Sequence, residues 1–313
     1  MSGMRKASDE HELAGPRAEI DPGSRSNAAR FASWAGVSTA VLAVASMVTG
    51  VTTPPRSGPY CEAGCVAYPY TAAAEFVPRD YLWMYPTLLM VLAFVTLAGG
   101  LHDLVPGARR VFSRAGLSLS LMGASLLVVD YALQLTVMQP ALLTGELEGV
   151  SPLSQYNPHG VFIGVENVGY ALLAGAFAFL GVALATSRST LLRVAAWVLR
   201  LGAVLTLLDL IVSAVVYRSG LDYRFEVIAL LVTWLVLVAT GVLVPVALRR
   251  DARWTPPRCR TNERNHLAQP GSSTRRRAKP GLSSVAPPTE PSYHSACPHR
   301  TRFNSGAHPS RDV

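Results

Sequence analysis

The sequence predicts an all-α membrane protein, a polytopic bundle of about six transmembrane helices flanked by disordered polar termini. Three observations carry this reading. Half of the 313 residues are apolar and only 15% are charged, against about a quarter in ordinary soluble domains. Six apolar runs, Ala32–Val51, Tyr81–Leu101, Ala115–Met138, Gly160–Ala185, Val194–Tyr217 and Phe225–Leu248, approach or exceed the ~20 residues that cross ~30 Å of hydrocarbon as helix. None of them alternates apolar and polar residues, as the ~10-residue strands of a membrane barrel do.

Residues 1–30 are polar, of mixed charge and interrupted by Pro16 and Pro22. They lack the apolar surface needed to fold alone and read as a disordered cytoplasmic leader. The transmembrane domain covers 31–250, and 251–313 reads as a disordered basic cytoplasmic tail. Arg30, the first apolar run and "AVAS" at Ala43–Ser46 also resemble a signal peptide with a small-residue cleavage site. The long polar stretch ahead of Arg30, and a run that continues to Val51, favour an uncleaved first helix.

Arginines orient the chain, because Lys and Arg in short loops stay on the cytoplasmic side. Arg25 and Arg30 precede the first span, Arg109, Arg110 and Arg114 fill the second connection, Arg188 and Arg193 the fourth, and Arg249, Arg250 and Arg253 follow the last. The third connection, Pro140 to Pro158, has neither Lys nor Arg. Both termini are therefore expected in the cytoplasm, with the chain in the cell membrane. Arg56, Arg79, Arg218 and Arg224 in the first and fifth connections run against the trend.

The first connection, on the outer side, contains "YCEAGC". An oxidising compartment makes Cys61 and Cys65 a candidate disulfide, with Gly64 easing the turn; two free thiols are the alternative. Where this loop enters the second span, Tyr81, Trp83 and Tyr85 are expected as headgroup-level anchors, and Arg79–Asp80 as a surface pair worth ~0–1 kcal/mol. Pro86 and Pro245 read as helix-end residues. In the fourth span, Gly160 and Gly164 of "GVFIG", with Gly169 and Gly175, mark a thin packing face.

Three spans carry an interior acid with a polar neighbour one turn on: Asp130 with Gln134, Glu166 with Tyr170, and Asp209 with Ser213. His159 continues the Glu166 column outward, and Asn167 adjoins it. The ~1.5 Å rise per residue puts Asp130 and Asp209 on the order of 5 Å, and Glu166 on the order of 12 Å, to the outer side of the midplane. His159, Asp222, Tyr223 and Glu226 then lie near the mouth. The three stripes are expected to face one another around an outward-facing polar cavity. The alternative is structural, with protonated acids hydrogen-bonding between helices.

The tail holds nearly all of the formal net charge of +8 and includes "TRRRAKP". It enforces topology, and anionic lipid is a further partner for it. No nucleic-acid motif interleaves aromatics with its arginines. Cys259 and Cys297 with His266, His294 and His299 lack zinc-site spacing, so neither a metal nor a cofactor is expected.

"PRDYLWMYP", "DYALQLTVMQPALLTGE" and "YNPHGVFIGVENVGYALL" resemble segments of an uncharacterised family of bacterial six-span membrane proteins. The resemblance runs from about Arg79 to Ala185 and implies the span count; no established activity, and so no catalytic residue, comes with it. The best functional expectation is binding or transport of a small molecule, a proton or a small cation through the outer cavity. An accessory or sensory protein with structural acids is the alternative. An intramembrane enzyme is the third, without support from any H-E-x-x-H, G-x-S-x-G or His cluster in the spans.

Overall fold

A computed structural model of the chain describes residues 22–254. Most of the predicted leader and tail, with the tail's cysteines and the reading of anionic-lipid contact, lies outside the described residues. Helix boundaries follow local chemistry. α1 (Pro22–Val51) opens on a proline, whose missing N–H costs nothing in a first turn, and closes just ahead of Pro54 and Pro55. α2 (Met84–Leu104) stops before Pro106. α3 (Arg110–Leu133) runs through a π-helical turn, Gln134–Met138, into α4 (Gln139–Thr144), which ends at Gly145 in the left-handed region with φ 79°. A one-turn α5 (Val150–Leu153) precedes α6 (Val161–Leu184), α7 (Thr190–Tyr217) and α8 (Leu221–Trp254).

Six helices are long and apolar enough to cross a membrane, and no strand occurs among the described residues. The protein is an all-α polytopic bundle. Each long helix packs on the next in sequence, α1 on α2, α2 on α3, α3 on α6, α6 on α7 and α7 on α8, and α8 returns to α1. The six close into a ring, and α6 also reaches α8 across it. Close approaches set the antiparallel registers: Gly100 against Ala32, Gly123 against the Gly169 carbonyl, Gly181 against Ala196, and Gly36 against Pro245. Hydroxyls inside the helices, such as Thr39, Ser46, Ser120 and Thr240, donate to the carbonyl four residues back and so cost little in lipid.

Several local expectations change. The third span continues past Pro140 because the helix widens into the π turn one turn ahead of it, which accommodates the ring and the missing N–H. Pro245 lies inside α8, where its ring fills the groove left by Gly36. Tyr81 and Trp83 are buried, and only Tyr85 of the three aromatics is exposed as an anchor would be. Gly164 faces open space and Gly160 packs within the preceding turn, so the thin face of α6 begins at Gly169, seated on Leu127 of α3.

Candidate functional site

The first connection folds over the start of α8 at the end of the bundle that carries the Cys61–Cys65 disulfide. Gly58 is in the left-handed region, φ 69°, and a Cβ there would collide with the Tyr223 ring. The Tyr223 hydroxyl donates to the Gln155 carbonyl at 2.7 Å, so its contact with Ser57 Oγ at 2.6 Å has the serine as donor. Two segments distant in sequence are thus tied to one phenol at the start of α8.

Asp80 is the charged centre of this region. It is 1% exposed, and its carboxylate meets Arg56 Nε at 3.3 Å and Arg79 Nε at 3.5 Å. The Tyr156 hydroxyl donates to it at 3.2 Å. Burial, reinforced by Tyr81 and by the Asp80 charge, pushes the Tyr156 phenol far above the usual range, so it stays a donor. The Arg56 guanidinium lies 4.1 Å from the centre of the Phe76 ring. The expected surface pair of Arg79 and Asp80 is therefore one side of a buried cluster, because Arg56 reaches Asp80 from the far end of the loop.

Beside this cluster opens a cavity of about 350 Å³, walled by Arg56, Asp80, Trp83, Tyr156, Tyr223 and Trp234. Glu226, in the second turn of α8, also lines it and reaches Glu166 of α6. Glu166 is fully buried. Tyr131 of α3 donates to Glu166 Oε1 at 2.6 Å, which makes Tyr170 the donor in its 2.8 Å contact with the Tyr131 oxygen. Glu166 Oε2 has no direct hydrogen-bond partner, and Glu226 is a further hydrogen-bonding neighbour of the Glu166 carboxyl. Asp130 lies within electrostatic range of Glu166 and lines a smaller cleft of about 60 Å³ with Gln134. Phe162 lines both spaces.

Of the residues singled out from the sequence, Glu166 and Tyr170 join one network, with Asp130 and Gln134 beside it. Gln134 is occupied in tying α3 to the loop, its Nε2 donating to the Leu153 carbonyl at 2.6 Å. Asn167 is half-buried on the flank of α6, and His159 is exposed at the turn before it, its N–H on Asn157 Oδ1 at 3.0 Å. Asp209 does not converge with the other acids. Ser213 donates to it at 3.3 Å as expected, but α7 packs on α6 and α8, and Leu208, Ile211 and Val212 around it are exposed. Asp80, Arg56 and Tyr131 were not singled out for the cavity, and Glu226, placed only at the mouth, is buried. Tyr131 carried a signal: a buried phenol needs a partner for its hydroxyl.

Among the described residues no group of three His, Cys, Asp or Glu side chains could hold a metal ion. No protein-family model matches the chain, and no curated protein or solved structure matches it significantly. The geometry alone makes one prediction here. Tyr131→Phe strands both Glu166 Oε1 and the Tyr170 hydroxyl, and is expected to lower stability by ~1–3 kcal/mol; Tyr170→Phe removes only the terminal donor and should cost ~1 kcal/mol. Thermal unfolding in detergent checks the order; equal effects would reject the chain Tyr170 to Tyr131 to Glu166.

Proposed function

We propose that this is a cell-membrane protein that binds, and in one reading transports, a small molecule or ion through a polar cavity open to the outer side, with both termini cytoplasmic. One observation carries the proposal: the cavity combines aromatic walls with charged groups, and Glu226 on its wall neighbours the fully buried Glu166. Intramembrane acids beside a cavity are expensive to keep and mark ligand or ion sites more often than ordinary packing does. Two features support the orientation. The disulfide lies at the cavity end, where an oxidising compartment would hold it. Arg109, Arg110, Arg188, Arg193, Arg249 and Arg250 flank the opposite ends of the helices.

A second reading has its own observation. Glu166 is held by Tyr131 much as a structural interhelical hydrogen bond would hold it, which suits an accessory or sensory protein with no ligand. A thermal-stability screen with a chemically diverse compound library separates the two. A ligand at a hundred times its Kd stabilises by ~2.7 kcal/mol, and such hits should lose their effect in Glu226→Gln. If no compound shifts the wild type, and Glu166→Gln is destabilised equally at every pH, the cavity has no ligand and the structural reading stands.

A further inference from the structure

A carboxylate accepts hydrogen bonds and cannot donate one. Two carboxyls that hydrogen-bond to each other therefore have a proton between them, and that requirement falls on Glu166 of α6 and Glu226 of α8. Glu166 is fully buried and Glu226 is 7% exposed. The Tyr131 hydroxyl already donates to Glu166 Oε1 at 2.6 Å, and Tyr170 donates in turn to Tyr131 at 2.8 Å. Both phenols thus direct their protons toward Glu166, which makes Glu166 the acceptor and puts the shared proton on Glu226.

Among the described residues, the titratable groups that face this pair are Asp130 and Tyr131 from α3, Tyr170 from α6 and Tyr223 from α8, with Arg56, Asp80 and Tyr156 across the cavity. Arg56 is held by Asp80 at 3.3 Å and by the Phe76 ring. Asp130 is a third carboxyl, 4% exposed, with Oδ2 unpartnered and within electrostatic range of Glu166. A second negative charge on the pair would face the first one at a low effective dielectric, where repulsion is about four times that in water. One proton removes that cost.

The proton is not sealed in. Glu226 lines the cavity of about 350 Å³, which Tyr60, itself 43% exposed, also lines. Gly50 of α1 lies directly against Trp234 of α8, so the helix pair is closed at this level and the cavity opens under the first connection. With Ser57, Gln155 and Tyr223 on its wall, a space of this size and polarity has room for several waters. A proton taken from that water, and returned to it, reaches Glu226 with no other bond made or broken.

We propose that Glu166 and Glu226 bind one exchangeable proton from the cavity as an acid–carboxylate pair, and that the proton is the ion this site serves. The assignment rests on the reading of the cavity as an ion-binding site and names the ion.

The test is the infrared carbonyl band of protonated carboxyls, read on the full chain in detergent near neutral pH, where exposed carboxyls are ionised and do not contribute. The wild type is expected to show the band, to shift it on transfer to deuterated water, and to shift it again when its glutamates carry carbon-13 carboxyls, a label that leaves Asp130 untouched. Glu166→Gln and Glu226→Gln should each remove the intensity of one carboxyl, and the double variant no more than either alone, because a single change already removes the need for the shared proton. Loss of two carboxyls in the double variant means two separate acids and overturns the pair. A band that ignores the glutamate label places the proton elsewhere, and one that resists deuterium makes it a fixed structural proton; either result overturns the proposal, and neither needs a variant to fold. Hits from the compound library on a wild type without a glutamate band leave a small-molecule cavity and discard the proton. A shared, exchangeable proton with no library hit leaves the proton as the ion of the cavity.

Discussion

Gly241→Val is expected to separate α8 from α1 and to leave little stable, monodisperse protein. A Cβ at 241 would lie 2.6 Å from the Gly36 carbonyl oxygen and 2.9 Å from both Cβ and N of Ala40. Two of those atoms are backbone and cannot swing aside. On the other side of the crossing a Cβ at Gly36 would meet Pro245 Cγ at 2.8 Å, so the two helices have no free direction in which to slide. Overpacking costs ~1–3 kcal/mol where side chains can yield; here the whole helix pair must shift. Lipid offers no hydrophobic drive to hold displaced helices together, so loss of close packing is loss of association. Gly164→Ala is the control, because nothing lies within 4 Å of its would-be Cβ. It should gain up to ~1 kcal/mol from the better helix propensity of alanine. Size-exclusion profiles and melting temperatures of the two variants decide the point, and a Gly241→Val protein that melts with the wild type would refute the crossing.

The spans were legible because the bilayer imposes a length and forbids unpaired backbone, two demands that a sequence displays openly. What they pack against was not. The apolar helices present nearly uniform surfaces, so nothing local distinguishes the face of α6 that meets α3 from the one that meets lipid, and of the glycines assigned to one packing face Gly169 meets α3 while Gly164 faces open space. Acids were conspicuous for the cost of burying them, and Glu166 with Tyr170 was placed in one network. Asp209 shows the limit of that reasoning: a stripe defines a face of its own helix and says nothing of which neighbour that face meets. Trp83 and Tyr81 were ambiguous in kind, because an aromatic with a polar edge suits a headgroup belt or a core equally well. The cavity itself depends on Arg56 crossing from the start of the first connection to Asp80 at its end, a long-range pairing with no sequence period to announce it.

That pairing supports the second large effect. Asp80→Ala is expected to destabilise the protein by ~3–5 kcal/mol, the range for breaking a buried ion pair from one side. The Arg56 side chain is 14% exposed and would keep its charge with no carboxylate beside it. The Tyr156 hydroxyl would lose its acceptor at the same time. Arg79→Ala should cost only ~0–1 kcal/mol, because a side chain 61% exposed is already solvated without Asp80. The contrast matters, since the sequence pairs Asp80 with the adjacent Arg79 and the structure assigns its energetic partner to Arg56. A double replacement, Arg56→Met with Asp80→Leu, removes both charges and should recover much of the loss, as buried pairs replaced by apolar groups of similar volume often do. Thermal unfolding of the four proteins checks the set. If Arg79→Ala proves as damaging as Asp80→Ala, the cavity wall is held by the exposed pair and Arg56 is free to turn toward a ligand. If only the Asp80 change is severe and the double variant recovers, Arg56 is consumed by its own carboxylate and holds the cavity wall as one half of a buried pair.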